Sequence, residues 1–156
     1  MQMNYIKEAE DILKNYRKLK DSIENLENRK NHILYKSRPR EPGAIDYSQP
    51  SIQKQNYSDD TINQICEITQ INNQIKETEA DMQVVEDILK QIKKEDNILE
   101  KFLVLKYIEK PKENLGRISK ELGYSEDSNH TIYTIKNKAL REFAIRYFGS
   151  KAIKYT

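Results

Sequence analysis

Across 156 residues, 33% of the side chains are charged and 37% hydrophobic, which leaves a thin apolar core and calls for long, well-solvated helices. No apolar run approaches the ~20 residues that a bilayer-spanning helix needs, and the single cysteine, Cys66, excludes an internal disulfide or a thiolate zinc site within one chain. Net charge is only +2 but is unevenly spread: Lys101 to Thr156 carry 12 Lys/Arg against 6 Asp/Glu, and residues 1–100 carry 15 against 19. A cationic C-terminal third favours a polyanionic partner through counterion release. The opening MQMNYIKEAEDILK is charged and lacks the apolar segment of a signal peptide, so a cytoplasmic protein is expected.

The first element is a helix with a sustained heptad. Tyr5, Ala9, Ile12, Tyr16, Leu19, Ile23, Leu26, Lys30 and Ile33 alternate at spacings of four and three, and only Lys30 breaks the apolar seam. Residues 36–58 contain three of the four prolines and a glycine, which makes them a connector rather than a helix. Ile45, Tyr47 and Ile52 could pin it to the helices, and Ser58 with Asp59 is placed to cap the second long helix. A second heptad then runs through Ile68, Ile71, Ile75, Thr78, Met82, Val85, Leu89 and Ile92, with Ile62 and Ile65 leading in and Cys66 read as a small buried side chain. Two matched seams joined by a connector predict an antiparallel hairpin that dimerises or docks elsewhere.

After the junction KKEDN at 93–97, the apolar positions Ile98, Leu99, Phe102, Leu103, Leu105 and Ile108 form a further helix that Pro111 ends. A short helix with Ile118 and Leu122 inward then meets Gly123. A turn leads to a second helix with Ile132, Ile135, Ala139 and Leu140 on one side, and Phe143, Ile145, Tyr147 and Phe148 close the core. The predicted protein is all-α. A long helical hairpin of coiled-coil type, with its Pro-rich connector, occupies 1–94, and a small helical bundle containing a helix-turn-helix occupies 95–156.

That layout frees the outer face of the last helix for a DNA major groove. Ser119 supplies the small residue where the helices cross, and Ser128 stands where it can cap the second helix. Asn129, His130, Tyr133, Thr134 and Asn137 then face outward as candidate base contacts. Arg117, Lys120, Ser128, Lys136, Lys138 and Arg141 are candidate phosphate contacts, which orient the protein without reading sequence.

The residues Ile118, Ser119, Leu122, Gly123 and Ser125, and after them Ser128, Thr131, Ile132, Tyr133, Ile135, Ala139 and Leu140, resemble region 4 of sigma-70-type factors. The turn is longer than in that pattern and adds Glu126 and Asp127, and Asn129, His130 and Thr134 stand where Arg is frequent. The whole chain resembles the ArpU/RinA-like regulators of phages and prophages, with Ile45–Ser48 in the connector as a further shared feature. The resemblance implies a sequence-specific DNA-binding regulator that activates late genes together with host RNA polymerase, and a homodimer formed through the N-terminal coiled coil. Two alternatives come from other classes: a packaging protein such as a small terminase subunit, and a coiled-coil interaction protein. No nucleophile–base pair, phosphate-cradling loop or metal-ligand spacing supports an enzyme, a metal or a cofactor.

Overall fold

The computed structural model describes residues 4–36 and 59–153. Those residues form six α-helices and one π-helical segment, with no strand among them. The expected connector therefore lies outside the described residues beyond Lys36, and so do Ile45–Ser48, Ile52 and the Ser58 cap.

Helix α1 (Tyr5–Lys36) contains neither Gly nor Pro, and Asn4 starts it by accepting a hydrogen bond from the Lys7 amide at 3.1 Å. Helix α2 (Asp59–Glu95) is also uninterrupted. Each long helix contributes to two compact units. One is Met1–Asp21 with Ala80–Thr156, and the other is Ser22–Glu79. The boundary expected near residue 95 is thus not where the chain divides. The short C-terminal helices expose more apolar surface than they can cover alone, and the first turns of α1 and the last turns of α2 complete their core.

Within Ser22–Glu79, Ile71 and Ile75 are buried, and Ile23, Leu26, Ile33 and Ile68 are half-buried. Arg29 donates to the Glu67 carboxylate, and Lys30, the break in the heptad, pairs with Glu27 at 2.6 Å on its own helix. Ile62 and Ile65 do not join this seam: they are 50% and 56% exposed, and Cys66 is exposed with them. The cause is spacing. Each step of three falls about 60° short of a full helical turn, so 68, 65 and 62 rotate progressively away. Thr61 and Gln64 take the half-buried positions instead.

The other unit holds the main core. Tyr5, Ala9, Leu13 and Tyr16 are buried on α1, and Met82, Val85, Ile88, Leu89 and Ile92 on α2. Leu13 is fully enclosed where Ile12 was expected, and Ile12 is half-buried. The stripe here is wider than a two-helix seam because α1 meets more than one neighbour, and the Tyr5 and Phe148 rings lie 5.1 Å apart.

Asp96 leaves helical geometry (φ −147°), and its carboxylate accepts from the Ile98 and Leu99 amides to start α3 (Asn97–Leu103). Where a single helix up to Pro111 was expected, α3 passes into a π-helical segment, Val104–Glu109, closed by Lys110 N–H donating to the Leu105 carbonyl at 2.9 Å. Pro111 disfavours helical backbone in the preceding residue, and Lys110 sits at φ −129°, ψ 59°. Helices α4 (Leu115–Glu121), α5 (Asn129–Phe148) and α6 (Ser150–Ile153) complete the unit, and Phe102, Leu103, Ile118, Ala139, Phe143 and Ala144 have no exposed surface.

The Tyr16 hydroxyl donates to the Glu86 carboxylate at 2.7 Å, and burial together with that neighbouring charge pushes its pKa up to about 12. Burial and Glu10 push Tyr107 upward in the same way. Unfolded tyrosines ionise near pH ~10, so the folded state holds these protons more tightly and its advantage is complete below that pH. Stability should therefore fall as pH rises from about 10 towards 12, and Tyr16→Phe should make the fall shallower in urea titrations. An unchanged alkaline slope in Tyr16→Phe would remove this hydroxyl from the explanation.

Candidate nucleic-acid interface

Helix α4 is short and closed at both ends by its own sequence. Asn114 accepts from the Arg117 amide at 2.9 Å at the start. At the other end the Tyr124 amide donates to the Ser119 carbonyl at 2.9 Å and the Gly123 amide to Lys120 at 3.0 Å. This paired closure needs a left-handed residue, and Gly123 provides it at φ +90°.

The turn after Gly123 packs back on α4. Ser119 is fully buried, and its hydroxyl donates to the Ser125 carbonyl at 2.9 Å. A Cβ at Gly116 would stand 3.3 Å from the Glu126 carbonyl, so a small residue there lets the turn approach. Ser119 is small where expected, but what it holds directly is the turn carbonyl.

Ser128 occupies the N-cap position of α5, yet its side chain makes no capping bond, because its backbone (φ −77°, ψ 49°) is not the extended form that aims the hydroxyl at the next amides. The start of α5 is closed by backbone bonds instead, from Asn129 N–H to Asp127 and from Ile132 N–H to Ser128.

Helix α5 has two clearly different sides. Ile132, Ala139, Leu140, Phe143 and Ala144 are buried, and Ile135 is half-buried. All five residues expected to face bases, Asn129, His130, Tyr133, Thr134 and Asn137, are exposed. His130, Thr134, Asn137 and Arg141 succeed one another at four, three and four, so they form one row along the helix. The Thr134 hydroxyl donates to the His130 carbonyl at 2.9 Å, which leaves its lone pairs as acceptors on that row.

The six expected phosphate contacts separate into groups. Arg117 pairs with Glu113 at 3.3 Å, Lys120 with Glu126 at 3.4 Å and Lys138 with Asp96 at 3.6 Å, and in each pair the cation is exposed. Exposed pairs of this kind hold a side chain by ~0–1 kcal/mol and can exchange a carboxylate for another anion. Ser128 is half-buried and Arg141 is exposed.

Lys136 does not face outward as expected. It is half-buried and sits 3.4 Å from the Glu10 carboxylate of α1. It comes four residues after Ile132 and precedes Ala139 and Leu140 by three and four, so helical geometry turns it towards the core side.

Glu10 gathers a polar cluster that spacing could not reveal, because its members come from opposite ends of the chain. The buried Tyr107 hydroxyl donates to it at 3.0 Å, and Lys14 and Lys136 lie within 3.4 Å. Burial works to raise the Glu10 pKa, but the Tyr107 hydrogen bond and the two lysines outweigh it and hold the carboxyl below its usual range. Lys106 is lowered by burial and by its neighbour Lys136, and it donates to the Glu113 carbonyl at 2.7 Å. Arg146 donates to Glu142 on α5 and to Glu95 at the end of α2.

Among the described residues no helix is long and apolar enough to cross a membrane, and no group of three His, Cys, Asp or Glu side chains is placed to hold a metal ion. Within this surface the chemistry on offer is hydrogen bonding and cationic contact.

Glu10→Ala should cost about 1–3 kcal/mol in urea unfolding, because it strands a buried tyrosine hydroxyl and leaves Lys136 facing Lys106. Adding Tyr107→Phe should recover part of that loss. An additive double variant would show that the two groups are not coupled in the folded protein. No protein-family model matches this chain, and no curated protein or solved structure matches it.

Proposed function

We propose that this chain is a sequence-specific DNA-binding transcription regulator of the phage or prophage type, which activates late genes together with host RNA polymerase. In this reading α4, its turn and α5 work as a helix-turn-helix, and α5 enters the major groove of double-stranded DNA. The observation that carries it is the polar row of α5, solvent-exposed along its length and opposite an apolar side that the core consumes. His and Asn side chains can hydrogen-bond base edges, and Asn suits adenine through two bonds. Arg117, Lys120 and Lys138 are the phosphate contacts of this proposal, since each is an exposed cation held by one carboxylate among the described residues.

The long helices α1 and α2 supply the self-association of the proposal, in the manner of a coiled-coil hairpin. Leu34, Ile62 and Ile65 are each about half exposed on the Ser22–Glu79 unit, which leaves apolar surface for a second copy. A dimer presents two copies of α5 to half-sites about 34 Å apart or a multiple of that.

The test is selection of bound duplexes from a random pool, with affinity then measured over a range of salt. Specific binding should weaken steeply with salt. The triple variant Arg117→Ala, Lys120→Ala, Lys138→Ala should bind every duplex more weakly, with a log–log salt slope smaller by about three. Asn137→Ala should instead alter preference at one position, by roughly 1–3 kcal/mol. A triple variant that binds as tightly as the parent at low salt would overturn the phosphate assignment, and a parent that binds no duplex would overturn the function. A ring of many subunits by light scattering would favour a packaging role over regulation.

A further inference from the structure

We propose that Arg141 reads a base edge, that of guanine, rather than anchoring the phosphate backbone. This rests on the DNA-binding reading above and extends the base-reading row by one residue beyond the sequence expectation, which grouped Arg141 with the phosphate contacts.

Three observations carry it. First, Arg141 continues the exposed row of His130, Thr134 and Asn137. Second, α5 is 20 residues long. A long recognition helix lying along the major groove can present positions i, i+3, i+4 and i+7 to bases. On α5 the exposed residues Thr134, Asn137 and Arg141 occupy i, i+3 and i+7 of that pattern, and Lys138 at i+4 is turned to Asp96. From His130 to Arg141 the helix advances about 16 Å, the rise of about five base pairs, so one end of the row need not leave the groove before the other enters it.

Third, the charges of α4 and α5 are engaged elsewhere. Arg117, Lys120, Lys136, Lys138 and Arg146 each pair with a carboxylate, whereas Arg141 pairs with none among the described residues. Its neighbour Glu142 is occupied by Arg146 on the same helix. A guanidinium on an exposed polar row with no competing carboxylate keeps its planar fork free for two parallel hydrogen bonds. Guanine offers the matching acceptors, O6 and N7, at the floor of the major groove. A phosphate also accepts the guanidinium fork, but it takes lysine's point charge in its place, whereas the two fixed acceptors of a guanine edge are matched by the planar fork.

The experiment compares the full-length parent with Arg141→Lys and Arg141→Ala on duplexes recovered from a random pool. Each base pair of the recovered site is varied in turn, and the salt slope is measured for each protein. Arg141→Lys should keep the parent's salt slope but lose about 10- to 100-fold of its preference for guanine at one base pair, with other positions unaffected. Arg141→Ala should lose the same preference at the same pair. If Arg141→Lys keeps the parent's preference everywhere while Arg141→Ala lowers the slope by about one, Arg141 is a phosphate contact and the inference fails. Variants indistinguishable from the parent also overturn it, as does a parent that binds duplexes without preference. A parent that binds no duplex at low salt defeats the functional reading itself, so the two failures are separable.

Discussion

The burial of one side of α5 is the constraint on which the rest depends. Ile132, Ala139, Leu140, Phe143 and Ala144 have almost no accessible surface, so the helix cannot rotate about its axis without bringing a large apolar area into water. With that side committed, the residues at His130, Thr134, Asn137 and Arg141 have one direction left to face. Their polarity is compatible with the core because they point away from it, and their alignment comes from the same helical period that aligns the buried set.

The core that secures α5 is assembled from distant parts of the chain. Helices of seven and four residues, such as α4 and α6, bury too little alone to be stable. The first turns of α1 and the last turns of α2 supply the missing apolar partners, and Glu10 adds a polar tie to Tyr107 and Lys136. Removing an acceptor from such a cluster is more damaging than its net contribution suggests, because a buried donor is then left without a partner. This tie also explains why one lysine of α5 differs from the others: Lys136 serves the packing of α1 against α5, and Lys138, two residues later, stays in solvent.

Much of the helical content is legible from residue order alone, and the errors have identifiable causes. Gly123 and Pro111 act locally on the backbone, so their effects on the end of α4 and on Lys110 can be read from the residues themselves. The heptads locate α1 and α2, yet hydrophobicity alone draws Ile62 and Ile65 into a seam from which their spacing removes them. Leu13 takes the place of Ile12 because α1 packs against several neighbours in that region. Ser128 has the right identity and position for a cap but not the backbone angles that make one. The surface residues Asn129, His130, Tyr133, Thr134 and Asn137 are readable because exposure on an amphipathic helix is periodic.

The order of residues by itself determined the all-helical class, the glycine-closed end of α4 and the polar side of α5. These are properties of neighbours within a turn or two, where backbone restriction and helical period act directly. Only the tertiary structure decided which chain segments share a core, that Glu10 faces Tyr107 and Lys136, and that Lys136 and Lys138 stand beside carboxylates while Arg141 pairs with none among the described residues. Those outcomes depend on which carboxylate happens to stand within a few ångströms of which cation after the chain has closed on itself, and no local pattern encodes that distance.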